Sequence, residues 1–507
     1  MELNISPEVV ASFSRSKAEW LAALDAAKED ADEVRRLSED MHLSPVLSHV
    51  DKRELVKVAA KLIGTTYSAL NRDLKLHEVE SEPRRDHLSF AREAVEGFGP
   101  GALIHAKGQF WAWRDRGVWE SIEEQVIRRA AIQCLEGAET VTDATVRSVV
   151  CLMRDEAHGE GTQFDKPADR RINCANGTLV YADGAWALQE HRRADYLTTM
   201  LPVAYDPDAM CPRFERFLDE IFEGDEDAAD KRQAVLEMAG YSLLQSCRYE
   251  RFVILVGSGS NGKSVLLEVL RNLVGDGQVS AVEPARMGDR FQRGHLRGKL
   301  VNLVPELPVG SMLADAAMKA FTSGDTVNGE FKGGQPFDYR PFATIWLGTN
   351  NMPHTRDLSD GMFRRALILK FNRQFREGER EIGLADKLLA ELPGILAAAC
   401  RALAGVFERG YITSPASSME ALKRWRMDSD QVANFVEDRC KVGPEFGPTP
   451  HATLFQAFRE WAAAENHSHT VTGKAFSQRL EGLGITAGRF TMAGKRDRGF
   501  MGIDVQR

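Results

Sequence analysis

With 507 residues, 43% of them apolar, the chain can build roughly two to four domains with real cores, and its net charge of −9 argues against a basic protein that coats nucleic acid while leaving room for a local basic channel. Seven scattered cysteines, odd in number and without a C-x-x-C pair, argue against a zinc site or a disulfide framework and for a reducing compartment. No segment approaches about 18 consecutive apolar residues and no signal or transit pattern opens the chain, so a soluble protein of the cytoplasm, without membrane partners, is expected.

In chain order, Ser16 to Glu39 is highly charged with sparse apolar residues and reads as one exposed helix. Asp51 to Lys75 gives two short helical patterns joined at Gly64, Thr65 and Thr66. The outline is that of a helix-turn-helix, but it is short and degenerate, and a plain helical hairpin is the preferred reading. Glu78 to Asp86, with Pro83, reads as a linker closing a helical N-terminal region over 1–86. An α+β domain is expected over 87–235. Its first part carries meander strands between Ala102 and Ile122, with Trp111, Trp113 and Trp119 in a small core, and Ile172 to His191 repeats the hairpin pattern through Asn176-Gly177 and Asp183-Gly184. Pro212 to Ser246 turns helical and acidic, and its carboxylates from Asp219 to Asp227 read as a solvated helix end and loop in preference to a metal site.

The strongest signal follows. Phe252 to Val256 has the apolar, β-branched character of a strand buried on both faces. It runs into GSGSNGKS (Gly257, Ser258, Gly259, Ser260, Asn261, Gly262, Lys263, Ser264) and then into a helix opening at Val265. Strand, loop G-x-x-x-x-G-K-[ST] and helix together are the context of a loop that cradles a triphosphate. Backbone N–H groups and the helix N-terminus face the phosphates, Lys263 reaches the β/γ oxygens and Ser264 ligates magnesium, so ATP and Mg2+ are the expected substrate and cofactor. Further on, the strand ending in Glu306 offers a carboxylate to polarise the attacking water, and a second ligand on the metal side. The strand ending in Asn350 offers a γ-phosphate sensor, and Arg364 and Arg365 stand at the mouth of another apolar strand where one can act as an arginine finger on a neighbouring subunit. The expected core covers 236–376, with a helical extension over 377–442.

These residues carry a family resemblance. The chain resembles the superfamily 3 helicases of phage and plasmid replication proteins, satellite-phage primase-helicases and the poxvirus helicase-primase, in GSGSNGKS, the short spacing to Glu306, Phe321 to Asp325 leading to Lys332, Trp346 to Pro353, and Phe363 to Phe371. Outside the core, Asn173 to Gly177, Leu201 to Phe214, Gly240-Tyr241, Glu391 to Ile395 and Ser429 to Phe435 are similar to the flanks of that branch, so the resemblance covers roughly 90–507. It implies an α/β, P-loop, AAA+-like core that assembles as a homo-oligomeric, normally hexameric, ring with ATP between subunits and moves 3′ to 5′ on single-stranded DNA at a fork. Arg365 is preferred over Arg364 as the finger because the family's finger lies immediately before the apolar strand, with the adjacent arginine left open. The family's pore hairpin corresponds to Val327 to Gly334, where Lys332, beside Phe331, is expected to touch a DNA phosphate, an exposed turn lysine being the alternative.

Two departures from the family matter. Pro305 stands where many phosphate-loop enzymes have an Asp before the catalytic Glu, and Pro305 cannot ligate metal. Residues 1–150 are too short for a primase-polymerase and show no strand with paired metal-binding carboxylates, so no priming activity is expected and a separate primase or origin protein is an expected partner. After the Gly443 to Pro450 linker, 450–507 reads as a winged-helix-like module, with Lys474, Arg479, Lys495, Arg496 and Arg498 as DNA contacts or as a basic rim on a packing domain. The expected protein is therefore a replication helicase of a phage, plasmid or integrated element. A nucleotide-switched origin-binding or loader ATPase that does not translocate is the alternative.

Overall fold

The computed structural model describes residues 15–44, 46–81, 86–114, 116–136, 141–166, 170–465, 471–492 and 495–506. The chain divides into two compact units, one of residues 1–101 with 123–158 and the other of 102–122 with 159–507, so the expected 87–235 domain is shared between them.

The first unit is helical. Lys17–Ala26, Ala31–Leu43, His49–Leu62 and Tyr67–Ser81 bury Trp20, Leu24, Val34, Met41, Leu55 and Leu70 in one core. The single exposed helix expected over Ser16 to Glu39 is two helices. Ser16 caps the first in a reciprocal box with Glu19, and Asp30 caps the second by accepting from the Asp32 and Glu33 amides at 3.0 and 3.1 Å. Few apolar residues suffice here because Trp20, Leu24 and Val34 are fully buried, while Leu21 stays exposed. The Gly64 junction is found, with Gly64 at φ +69°. Of the expected linker, Glu78 to Ser81 continue a helix, and 82–85 lie outside the described residues. Helices His87–Glu96, Glu124–Cys134 and Asp143–Glu156 complete the unit.

The second unit begins with an antiparallel meander, β1 (Leu103–Ala106), β2 (Gln109–Arg114) and β3 (Val118–Ile122). Trp119 is buried against Phe164 and Tyr196, and Trp111 stacks on Phe164 with centroids 4.1 Å apart. A second meander follows as β4 (Arg171–Cys174), β5 (Gly177–Ala182) and β6 (Ala185–Gln189), turning through Asp183 and Gly184, both at positive φ, as a two-residue hairpin requires.

The centre is a parallel sheet of β7 (Phe252–Val256), β8 (Val279–Ser280), β9 (Val301–Val304), β12 (Thr344–Thr349) and β13 (Ala366–Lys370), in the order β13-β7-β12-β9-β8. Between β9 and β12 the chain forms a short hairpin, β10 (Val327–Gly329) with β11 (Phe337–Tyr339). Side chains alternate between two cores: Val253, Leu255, Leu303 and Trp346 face one, while Phe252, Ile254, Ile345 and Leu347 face the other. Burial on both faces is why these strands read as unbroken apolar runs. Leu392–Arg409 is the apolar helix of the first core, and among the described residues no single helix is long and apolar enough to cross a membrane.

The carboxylates around Asp219 to Asp227, expected from the sequence to be a solvated helix end and loop, are not solvated throughout. Lys231, fully buried, pairs with Asp225 at 2.7 Å and Asp227 at 3.7 Å and also donates to the Lys370 carbonyl. Arg232 pairs with Asp219 and Arg373 with Glu223. Among the described residues no group of three or more His, Cys, Asp and Glu side chains is placed to hold a metal.

At the C-terminus, helices His451–Ala464 and Gly473–Gly482 precede a hairpin of β16 (Thr486–Met492) and β17 (Lys495–Met501). Cys440–Val442 (β14) pairs with Ile503–Val505 (β18), and Thr449–Pro450 (β15) pairs with β17, so the stretch expected as a linker is stitched into this module at both ends. Val432 and Phe435, expected with the core extension, lie in the C-terminal core with Phe458, Phe476 and Phe500.

Candidate nucleotide site and hairpin

The Gly257 to Ser264 loop leaves the carboxyl end of β7 and enters the Lys263–Val274 helix. Gly262 caps that helix at φ +88°, and a Cβ there would stand 2.6 Å from the Ile221 Cγ2, so glycine is required by both conformation and space. Gly257 is confined too, because a Cβ would run into the Asn261 side chain and come 2.7 Å from the Phe371 carbonyl. Asn261 is buried within the loop, and its Nδ2 has no hydrogen-bond partner among the described residues. Lys263 is 7% exposed and its amine donates to the Gly257 carbonyl. Burial pushes the Lys263 pKa down, and the Glu306 carboxylate lies close enough to oppose that shift. Ser264 is exposed in the first helical turn and Val265 half-buried behind it. An unpartnered buried amide and a desolvated ammonium at a helix start fit a phosphate chain.

Glu306 and Asn350 sit just beyond the carboxyl ends of β9 and β12, both exposed. Their strands are neighbours, and β12 lies between β9 and β7, so Lys263, Glu306 and Asn350 share one edge of the sheet. Two local devices set that edge. The Leu307 amide donates to the Gly348 carbonyl at 2.9 Å, and a Cβ at Gly348 would run into the Pro305 carbonyl. The Thr349 hydroxyl engages both the amide and the carbonyl of Asn351. Gly348→Ala is therefore expected to force β9 and β12 apart, at a cost of about 1–3 kcal/mol, seen as a melting temperature lowered by several degrees.

A strap after β13 lies over the loop, which motif reading missed. The Phe375 amide donates to the Ser260 carbonyl at 2.8 Å, Gln374 to the Ser258 hydroxyl at 2.6 Å and Arg380 to the Ser260 hydroxyl at 2.8 Å.

Arg364 and Arg365 precede β13 and so lie at the opposite, amino edge of the parallel sheet. The structure separates them. Arg365 is 7% exposed, donates to the Gly361 carbonyl and to the Ser323 hydroxyl at 2.7 Å, and pairs with Glu250 at 2.8 Å. Arg364 is exposed and reaches the same Glu250 oxygen at 2.9 Å. The preference for Arg365 as a finger meets this geometry: of the two guanidiniums, the exposed one is that of Arg364. Glu250, at φ +49° just before β7, carries no motif and was invisible in the sequence.

The β10–β11 hairpin carries Phe331, 45% exposed, and Lys332, exposed and without an ion pair among the described residues. The segment from Arg290 to Arg297 braces it: Arg290 pairs with Glu330 at 3.0 Å, the Glu330 amide donates to the Arg290 carbonyl at 3.1 Å, Tyr339 donates to the Arg293 carbonyl, and Arg297 lies 4.7 Å over the Phe337 ring. In the C-terminal module Lys474 and Arg496 are exposed, and Arg498 faces Arg489 across the hairpin. Arg479 is committed to Asp430 at 2.6 Å, and the Lys495 side chain lies outside the described residues.

The chain is thus a mixed α/β protein with a central parallel sheet. A sequence profile described as D5 N terminal like matches residues 95–223, and one described as a family of unknown function (DUF5906) matches 255–365. A putative helicase L207/L206 of Acanthamoeba polyphaga mimivirus is 28% identical over 151 residues, which is 28% of this chain and 16% of that relative's length. Among solved structures, the apo A form of the NrS-1 C-terminal region is 11% identical with a TM-score of 0.46, covering 82% of this chain and 99% of that one. A further apo structure of the same region, residues 305–718, is 13% identical with a TM-score of 0.44, covering 82% and 99%.

Proposed function

We propose that this protein is an ATP-driven replication helicase of the superfamily 3 type that works as a ring on single-stranded DNA. The observation that carries the reading is the convergence of Lys263, Glu306 and Asn350 on one edge of the parallel sheet, with two arginines on the other. The helicase name of the viral relative and the D5 N-terminal-like match before the core support it.

In this reading the loop amides and Lys263 hold the triphosphate and offset charge on its transferring end. Glu306 orients and polarises a water, and Asn350 holds that water or a γ oxygen in line. Ser264 and Glu306 would hold magnesium, which supplies charge neutralisation between the β- and γ-phosphates. Arg364, at the far edge, serves the nucleotide of the adjacent subunit, so each site is completed only in the assembly. Lys332 contacts the DNA backbone without regard to sequence.

Steady-state ATP hydrolysis at low salt, with and without single-stranded DNA, tests this. The wild type is expected to be stimulated, while Lys332→Ala keeps its DNA-independent rate and loses most of the stimulation. Lys263-dependent hydrolysis that ignores DNA in the wild type would move the reading to a nucleotide-switched loader.

A further inference from the structure

A groove of about 1230 Å³ lies within the second unit, lined by the β1–β3 meander, the Ser246 to Glu250 turn and the β10–β11 hairpin. It exceeds the roughly 300–1,000 Å³ typical of a small-molecule pocket. Glu250, Arg297 and Phe342, which immediately precede or approach the amino ends of sheet strands, line it, so it opens at the edge of the sheet opposite Lys263. Its lining carries five cations, Lys107, Lys166, Arg248, Arg297 and Arg340, against four carboxylates, Glu120, Asp165, Glu250 and Asp338. Lys107, Lys166 and Arg340 are exposed on it and form no ion pair among the described residues. Its carboxylates largely have partners of their own, and Lys107 adds an electrostatic pull on Asp165. Glu120 pairs with Arg114 and Arg116, Glu250 with Arg364 and Arg365, and Asp165 accepts from the Thr198 amide at 2.8 Å and Gln245 at 2.6 Å. Asp338 alone is exposed, accepting from Asn328. Half-buried Trp111 and, from the hairpin, Phe331 present ring surface to the same space.

We propose that this groove is a second binding site for single-stranded DNA, continuous with the hairpin, in which Lys107, Lys166 and Arg340 hold successive phosphates while Trp111 and Phe331 offer faces for bases. Cations along a track with interleaved aromatic rings are what a sequence-independent single-strand path requires. The inference rests on the helicase reading but adds contacts that the hairpin does not supply.

The test is fluorescence anisotropy of labelled oligothymidylate on the full chain, without ATP, over a salt series. For Lys107→Gln/Lys166→Gln/Arg340→Gln, the slope of log affinity against log salt is expected to fall by about 2, because each phosphate contact on a single strand carries about 0.7. Lys332→Ala alone is expected to lose about 0.7. A triple variant with the wild-type slope, beside a weakened Lys332→Ala, overturns the groove and leaves the helicase reading standing. A wild type that binds no oligothymidylate at low salt overturns both. An unchanged melting temperature and DNA-independent hydrolysis rate establish that the triple variant is folded. Photocrosslinking of iodouracil-substituted strand gives a second readout: adducts at Trp111 support the groove, and adducts confined to the hairpin overturn it.

Discussion

Lys263→Ala is expected to lower ATP hydrolysis by about 10²–10³-fold or more, with the fold retained. The amine is buried at the helix start, burial holds its pKa down, and it faces the Gly257 carbonyl and the Glu306 carboxylate. Alanine removes the only positive charge within Gly257 to Ser264 and leaves the Gly257 carbonyl without that donor. The loop's backbone shape is set by Gly257 and Gly262, so it survives the change. Phosphate release measured beside thermal melts checks this, and a variant retaining a tenth of wild-type turnover would remove Lys263 from the chemistry. Lys263→Arg separates charge from geometry: it keeps the charge but replaces the compact ammonium, buried against the Gly257 carbonyl, with a planar guanidinium, and is expected to be nearly as inactive.

The two adjacent arginines are expected to fail differently. Arg364→Ala should lower hydrolysis by about 10³-fold or more, the magnitude of an arginine finger, with little change in melting temperature because its side chain is exposed. Arg365→Ala should destabilise the fold by about 2 kcal/mol, the range for buried charged hydrogen bonds. It removes a buried guanidinium bonded to Gly361, Ser323 and Glu250, and of these two arginines Glu250 keeps Arg364. Thermal melts and hydrolysis assays on both variants decide between them. If Arg365→Ala melts like the wild type and is inactive while Arg364→Ala is active, the assignment reverses. Mixing Lys263→Ala with Arg364→Ala is expected to restore part of the activity, since some interfaces then join an intact loop to an intact finger. No recovery at any ratio, with mixed assemblies verified, would count against shared sites.

Much of the site could be read from the chain because its parts are local. The loop from Gly257 to Ser264 is one continuous segment between a strand and a helix, and strand ends at Glu306 and Asn350 are marked by apolar runs that stop at a polar residue. The β10–β11 hairpin was placed by the family resemblance at Val327 to Gly334, and the structure extends it to Tyr339. What escaped was pairing between distant segments. Glu250 gathers two arginines more than a hundred residues away, the Phe375 to Arg380 strap closes on Ser260, and Gly348 is required only because Pro305 lies against it.

Periodicity and motif spacing were enough to mark β7, β9, β12 and β13 of the parallel sheet and the residues at their ends, since burial on both faces and a glycine-rich turn leave patterns within a dozen neighbouring residues, while the two-residue β8 left none. Which arginine is buried and which is presented was decided by tertiary structure alone, because neighbours in sequence at the mouth of a strand differ only in what packs against them. The same holds for the Gly443 to Pro450 stretch, which has the composition of a linker yet is flanked by β14 and β15 and bonded through Gly443 to Gly502. Backbone hydrogen bonds carry no side-chain signature, so a segment held by them reads as loop until its partner strand is seen.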